Sequence, residues 1–222
     1  TGSGYFSLKQ CVDQLTDKPV KVLMTHGHVD HAMGAGEFEE IYLNHKDEAV
    51  YREHAKKEFR LEGLAGMNAE GNAITEKDMI PAAPFERFRD LKEGDRFELG
   101  DVQIVIYELP GHTQGSVVML IPEERTLLLG DACNPFLFLF EEFSTGLATY
   151  EKNLREFQNK ILMSHGDGTG KISTIEDVLK TCEDIRKGNI KDGYFDFMGE
   201  KHYFADNGTD THICYNKQRI EE

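Results

Sequence analysis

The chain has 222 residues and a formal net charge of -15, because 40 acidic residues outnumber 25 basic ones. Its length fits a single domain over residues 1–222, and a hydrophobic fraction of 39% is enough to form a buried core. The negative charge would repel a nucleic-acid backbone or an anionic membrane surface, so we expect neither as a partner.

The spacing of the cysteines and the lack of long apolar runs indicate the cellular compartment in which the protein is expected. Cys11, Cys133, Cys182 and Cys214 show neither Cys-x-x-Cys nor short disulfide spacing, so we expect reduced and mostly buried thiols. No apolar run approaches the roughly 18 residues that a membrane span needs. These features predict a soluble, cytoplasmic protein. Because the sequence begins at Thr1 rather than methionine, a signal peptide before it stays an alternative.

Helix and strand signals alternate in the N-terminal part of the chain. Ser7 and Gln10 have the spacing of a capping box, and apolar residues then recur at helical intervals, which predicts a helix over residues 8–17. Short apolar runs predict strands at 20–24, buried on both faces, and at 40–43. This part of the chain therefore has a β-α-β rhythm.

The rest of the chain changes from helical to hairpin-rich patterns. A charged stretch at 45–62 predicts a helix, and the glycine- and proline-containing region 63–84 predicts a long loop or lid. The following elements are then expected: strands at 96–99, 102–107, 116–121 and 126–129, helices at 150–158 and 174–187, and a closing hairpin of 201–204 with 211–215. The mixture predicts an α/β (α+β) fold, with two sheets covered by helices on their outer faces.

The segment from Thr25 to His31, Thr-His-Gly-His-Val-Asp-His, places three imidazoles and a carboxylate directly after a predicted strand. Imidazole binds zinc, iron and other borderline ions, and a carboxylate can hold a second ion or orient a bound water. Gly27 lacks a Cβ, so the backbone can turn tightly between His26 and His28. The pattern is specific enough to predict a metal site rather than surface histidines.

Further ligands are expected from other strand ends, because four side chains in one loop rarely complete a catalytic metal site. His112, Asp131 and His165 each follow a predicted strand, which for His165 is the apolar run 161–163, and each lies beside a glycine. Any one of them alone would be an ordinary structural residue. Their shared position at strand ends makes them candidate ligands.

These motifs resemble those of the metallo-β-lactamase superfamily, in particular its glyoxalase II-like and lactonase-like hydrolases, over about residues 1–166. The resemblance implies the four-layer αβ/βα sandwich of that family, with two metal ions at one edge. It also implies the ligands: His26, His28 and His112 for the first metal, Asp30, His31 and His165 for the second, and Asp131 bridging both.

Two departures from the family pattern qualify the resemblance. Members carry strands before an Asp-Thr-Gly or Asp-Ser-Gly turn, and Thr1-Gly2 matches the inside of that turn. We therefore expect some N-terminal strands to be missing, which would expose sheet edges and leaves a homodimer open. Antibiotic-cleaving members commonly carry Cys or Ser at the bridging position. Asp131 is the hydrolase form, and this argues against β-lactam cleavage.

The resemblance implies a binuclear hydrolase that uses a metal-bridging hydroxide on a small ester, thioester or lactone. Its cofactors would be two divalent ions, zinc first, with iron or manganese as alternatives. Asp30 would be the catalytic carboxylate that orients the water. Thr25, Thr113 and Ser164 either fix ligand tautomers or are ordinary loop hydroxyls. Two alternatives stay open, a mononuclear-iron oxidoreductase like the persulfide dioxygenases and a non-catalytic metal-binding member of the fold.

The sequence says less about the small-molecule substrate. Phe136, Phe138, Phe140 and Phe143 either wall a pocket for an acyl group or belong to the core, which is the commoner location for phenylalanine at alternate positions. No Arg-Lys pair for a glutathione or phosphate group can be placed. The substrate, the metal and the oligomeric state therefore stay open.

Overall fold

The computed structural model describes residues 1–69, 74–164, 173–197 and 199–222, with the backbone alone at 66–69 and 162–164. These residues form two compact units, Thr1–Lys92 and Glu93–Glu222. The single domain expected over 1–222 stays a prediction. Among the described helices, none has both the length and the apolar content that a membrane crossing requires.

The first unit is built on a parallel sheet. Its strands are β1 (Lys21–Leu23), β2 (Glu40–Leu43) and β3 (Arg89–Asp90), in that spatial order. Its helices are α1 (Leu8–Leu15), α2 (Val29–Ala32), α3 (Glu48–His54) and α4 (Lys57–Ala69). The helix start predicted at Ser7 is confirmed, because the Ser7 hydroxyl accepts a hydrogen bond from the Gln10 amide at 3.1 Å.

Two predictions for the first unit are wrong in detail. β1 is not buried on both faces, because Lys21 is exposed and its ammonium lies 2.7 Å from the Glu40 carboxylate.

The first part of the predicted lid is helical, since α4 continues through Gly63. A glycine inside a helix costs about 1 kcal/mol. Buried Leu64 and the Arg60 guanidinium, which donates to the Ile80 carbonyl at 2.8 Å, offset this cost. Residues 70–73 of that lid lie outside the described residues.

The second unit contains two separate sheets and two helices. The antiparallel strands β4 (Arg96–Glu98), β5 (Gln103–Glu108), β6 (Val117–Ile121) and β7 (Thr126–Leu128) follow one another in space. The other sheet has the order β8-β11-β10-β9, with β8 (Phe136–Leu139), β9 (Lys191–Phe197), β10 (Glu200–Asp206) and β11 (His212–Tyr215). The helices are α5 (Leu147–Ser164) and α6 (Ser173–Lys187).

The strand predicted at residues 161–163 is instead the end of α5. Tyr150, Leu154, Phe157 and Ile161 recur every three or four residues, and all four side chains are buried in the core of the second unit. Helical periodicity therefore outweighs the short apolar run. The hairpin predicted at the C-terminal end is confirmed, because β10 and β11 pair antiparallel.

Candidate metal centre

The His-x-His-x-Asp-His segment joins the end of β1 to the start of α2. His26 and His28 are buried, and His28 is the N-cap residue of α2, which carries Asp30 and His31. This short helix follows the strand after only a few residues. The three imidazoles therefore gather at one place in the first unit.

The buried ring nitrogens of this segment have the spacing of metal ligands. Nε2 of His26 lies 3.1 Å from Nδ1 of His28, and the ring centroids of His26 and His31 are 4.0 Å apart. Two imidazoles on one tetrahedral zinc, with Zn–N of 2.0–2.1 Å, bring their nitrogens to about 3.3 Å from each other. The donor set of the first unit therefore fits a bound divalent ion.

Thr25 and Asp30 flank the imidazoles in different ways. The Thr25 hydroxyl lies 3.2 Å from Nδ1 of His26 and 3.3 Å from Nδ1 of His31, so it orients both rings, as expected of a residue behind the ligands. The Asp30 side chain is 63% exposed, and its carboxylate lies 3.5 Å from Nε2 of His31. Asp30 thus has both solvent access and a neighbouring ligand.

Asp47, the residue just before α3, supports the ligand segment and was missed in the sequence. Its buried carboxylate accepts a hydrogen bond from the Gly27 amide at 2.8 Å. A Cβ on Gly27 would lie 3.1 Å from Cγ1 of Val50 and 3.2 Å from Cβ of Asp47. The glycine is therefore needed for the close approach of α3 rather than for a tight turn. No spacing rule links position 47 to the motif, since the contact forms only in the folded chain.

His54, at the end of α3, was missed for the same reason. Its ring stacks on His28, with centroids 4.7 Å apart and planes 14° from parallel, and its Nδ1 accepts from the Val29 amide at 3.1 Å. Nδ1 must therefore carry the lone pair, which sets the tautomer of the neutral ring. His54 consequently buttresses His28 from the side and secures the first turn of α2.

Replacing Asp47 with alanine is expected to weaken metal binding about 10- to 100-fold, the range for residues that support ligands. The variant leaves the buried Gly27 amide without its acceptor, which costs about 1–3 kcal/mol of stability. Metal titration followed by competition with a chromophoric chelator would measure the affinity. Asp17→Ala, outside the helices and strands of this unit, is the control and should bind metal like the parent. Equal affinity of the two variants would contradict the supporting role.

The second unit brings His112 and Asp131 together. Nδ1 of His112 donates to the Phe138 carbonyl at 2.9 Å, which places the ring's lone pair on Nε2. That Nε2 lies 3.8 Å from Oδ2 of Asp131, whose other oxygen accepts from the Asn134 amide group at 3.4 Å. A buried imidazole of set tautomer beside a carboxylate is a donor pair suited to a divalent ion.

Tyr150 connects the chain segments that carry these two residues, and no sequence pattern had singled it out. Its ring occupies the space beside Gly111, where a Cβ would lie 2.2 Å from Cδ2 of the ring. Its hydroxyl donates to the Ala132 carbonyl at 2.8 Å. One fully buried side chain on α5 therefore contacts the residue before His112 and the residue after Asp131.

The other sequence candidates have different outcomes. His165 and the side chain of Ser164 lie outside the described residues. The Thr113 hydroxyl lies 2.8 Å from that of Ser116, and its role in fixing a ligand tautomer stays a prediction. Burial raises the pKa of the Cys133 thiol to about 12, which keeps it protonated at neutral pH. Cys133 is thus a core residue, as predicted for most of the cysteines.

Comparison with curated proteins finds partial relatives. The chain is 28% identical over 127 residues to acyl-coenzyme A thioesterase MBLAC2 of Gallus gallus. This alignment covers 51% of this chain and 42% of that protein. It is 24% identical over 143 residues to the Homo sapiens protein of the same name, covering 58% and 47%. The chain thus spans less than half the length of either relative.

Comparison with solved structures and family profiles agrees with the resemblance seen in the sequence. A β-lactamase domain protein from Burkholderia ambifaria aligns with a TM-score of 0.52 at 20% identity, covering 82% of this chain and 61% of that one, and shares the fold. The profile of the metallo-beta-lactamase superfamily matches residues 12–163. This chain therefore belongs to the metallo-beta-lactamase superfamily.

Proposed function

We propose that the protein is a metal-dependent hydrolase of acyl thioesters. The observation that carries the proposal is the 3.1 Å approach of the His26 and His28 ring nitrogens, which suits two ligands of one ion. The proposed ligands are those of the family pattern: His26, His28, Asp30, His31, His112, Asp131 and His165. Superfamily membership and the two thioesterase relatives support hydrolysis of thioesters.

Two divalent cations, zinc first, would supply Lewis acidity at the thioester carbonyl and lower the pKa of water toward about 7. The chain itself provides the ligands, and Thr25 and the Phe138 carbonyl hold the rings of His26 and His112 in place. The exposed carboxylate of Asp30 orients the attacking water and accepts its proton. The water oxygen bonds to the acyl carbon, the C–S bond breaks, and the proton leaves with the thiol.

The charge of the protein favours a substrate with a small neutral thiol part. A net charge of -15 gives no long-range attraction for a multiply anionic carrier such as coenzyme A. The acyl group therefore has to supply most of the recognition. We expect thioesters of N-acetylcysteamine, which carry no phosphate, to be cleaved at least as well as the matching coenzyme A thioesters at low ionic strength.

The test combines metal analysis with a substrate panel. The purified chain is assayed for metal content and for hydrolysis of acetyl and octanoyl thioesters, the matching p-nitrophenyl esters, and a lactone. We expect about two zinc ions per chain, thioester cleavage, and loss of cleavage in Asp131→Ala. One iron per chain with dioxygen consumption on a persulfide would overturn the proposal in favour of an oxidoreductase. Stoichiometric metal without turnover of any substrate would indicate a non-catalytic member.

A further inference from the structure

One face of the sheet β8-β11-β10-β9 is covered by aromatic rings. Strand pairing aligns His212 with Phe136 and His202 with Phe195, and side chains alternate between the two faces of each strand. Among the described residues the following share this surface, here named the aromatic face: Phe136, Phe138, Phe140, Phe195, Phe197, Phe204, His202 and His212.

The aromatic face is distinct from the hydrophobic core. Leu137 and Ile213, on the opposite face of the same sheet, are fully buried in the core of the second unit. Phe136 is 40% exposed, and the other rings of the face are only partly buried. A contiguous, partly exposed apolar surface of this kind marks a binding site more often than a structural surface. The alternating phenylalanines 136, 138 and 140 are therefore not core residues, although that was the commoner expectation.

Strand β8 ties this face to the candidate metal ligands. It lies at the edge of the sheet, and the carbonyl of Phe138 accepts the hydrogen bond from His112 at 2.9 Å. Asn134, two residues before β8, donates to Asp131 at 3.4 Å. A single hydrogen bond to the backbone of β8 therefore links the aromatic face to His112. From β8 the face extends across the sheet to β9.

We propose that the aromatic face binds the hydrocarbon chain of an acyl substrate, an inference that rests on the proposed thioesterase function. Four strands about 4.8 Å apart give the face a width of roughly 14 Å, which suits a chain of medium length. Within the described strands, charged residues on this face stand only at strand ends, at Glu200 and Asp206 on β10 and at Lys191 on β9, which is paired with Asp206. The centre therefore offers dispersion contacts and burial to an uncharged chain.

Charge argues for a hydrocarbon occupant rather than a second copy of the chain. Each copy would bring a net charge of -15 to the interface, and the face itself carries two acidic residues, Glu200 and Asp206, against one basic residue, Lys191. A neutral acyl chain meets no such repulsion. Its carbonyl end is anchored beside His112, so the position of the chain is coupled to that of the reacting bond.

The kinetic test uses two aromatic residues on opposite faces of β9. Phe195 belongs to the aromatic face, whereas its neighbour Tyr194 points to the other side, where the Lys201 ammonium lies 4.4 Å from its ring. Phe195→Ala is expected to lower the octanoyl-to-acetyl ratio of kcat/KM about tenfold, in line with lost apolar burial. Tyr194→Ala should leave the ratio as in the parent. An equal ratio in all three proteins would overturn the proposal.

A binding test separates this inference from the proposed reaction. The sequence contains no tryptophan, so Phe195→Trp and Tyr194→Trp each introduce a single tryptophan, whose emission can be excited separately from that of tyrosine. The probe is the octanoyl amide of N-acetylethylenediamine, in which N–H replaces the scissile sulfur. We expect a saturable blue shift in Phe195→Trp alone, whether or not the protein hydrolyses thioesters. The proposal would be overturned if the two variants responded identically or if neither responded. A blue shift that depends on protein concentration in the absence of the probe would also overturn it, because a second copy of the chain would then cover the face.

Discussion

Replacing His28 with alanine is expected to remove stoichiometric metal and to lower thioester hydrolysis by at least about 10³-fold, because the several kcal/mol that a metal contributes to the transition state are lost. His28 is only 5% exposed, and its Nδ1 is paired with Nε2 of His26 at 3.1 Å. The imidazole of His28 is fixed in position because His28 is the N-cap residue of α2 and its ring stacks on His54. A water molecule that fills the space left by the ring would not be a ligand fixed in this way.

Metal content by mass spectrometry and kcat/KM with an octanoyl thioester are the two measurements. His45→Ala is the matched control, since His45 belongs to the same unit but is exposed and contacts the Phe88 carbonyl at 3.0 Å. The control should keep both metal and activity. A His28→Ala protein that retains stoichiometric metal and parental turnover would refute the ligand role.

Replacing Gly111 with alanine is expected to lower the free energy of unfolding by about 1–3 kcal/mol, the usual cost of forcing extra volume into a packed core. The new Cβ would lie 2.2 Å from Cδ2 and 2.6 Å from Cε2 of Tyr150, closer than any real contact. The buried ring has no space to retreat and also holds the Ala132 carbonyl. Both His112 and Asp131 should therefore shift, and activity should fall with stability.

Urea denaturation of the purified variants measures this loss. Gly63→Ala in α4 is the control, because its Cβ would meet only the Tyr5 hydroxyl at 4.0 Å. Alanine is also the better helix former, so this control should be as stable as the parent or up to about 1 kcal/mol more stable. If Gly111→Ala unfolds at the same urea concentration as Gly63→Ala, Tyr150 does not hold these segments.

Sequence patterns correctly predicted those helices and strands that depend on residues close together in the chain. The strand expected at 40–43 is β2, and the helix start at Ser7 depends on a contact three residues away. The clustering of His26, His28 and His31 also follows from proximity in sequence, since six residues cannot carry them far apart. Superfamily membership, inferred from these motifs, is confirmed by the profile match.

Features that depend on distant contacts escaped prediction. Asp47 reaches Gly27 across 20 residues, and Tyr150 reaches Ala132 across 18. β8 was interpreted as a pocket wall or core segment, because its partner β11 lies more than 70 residues further along the chain and pairs in parallel. Parallel pairing between remote segments leaves no turn signature in the sequence. The seven-ligand set itself stays a prediction.

The bond between the Phe138 carbonyl and His112 sets limits on how this protein can diverge. Substitutions in β8 alter the ligand-bearing edge together with the ring surface, so selection on either property constrains the other. β9 and β10 carry the same surface on the strands that are not paired with β8. Natural variation in chain-length preference among homologues should therefore accumulate in β9 and β10, while β8 changes slowly. Within this one sheet, we therefore expect the edge strand β8 to be conserved and the opposite edge strand β9 to vary.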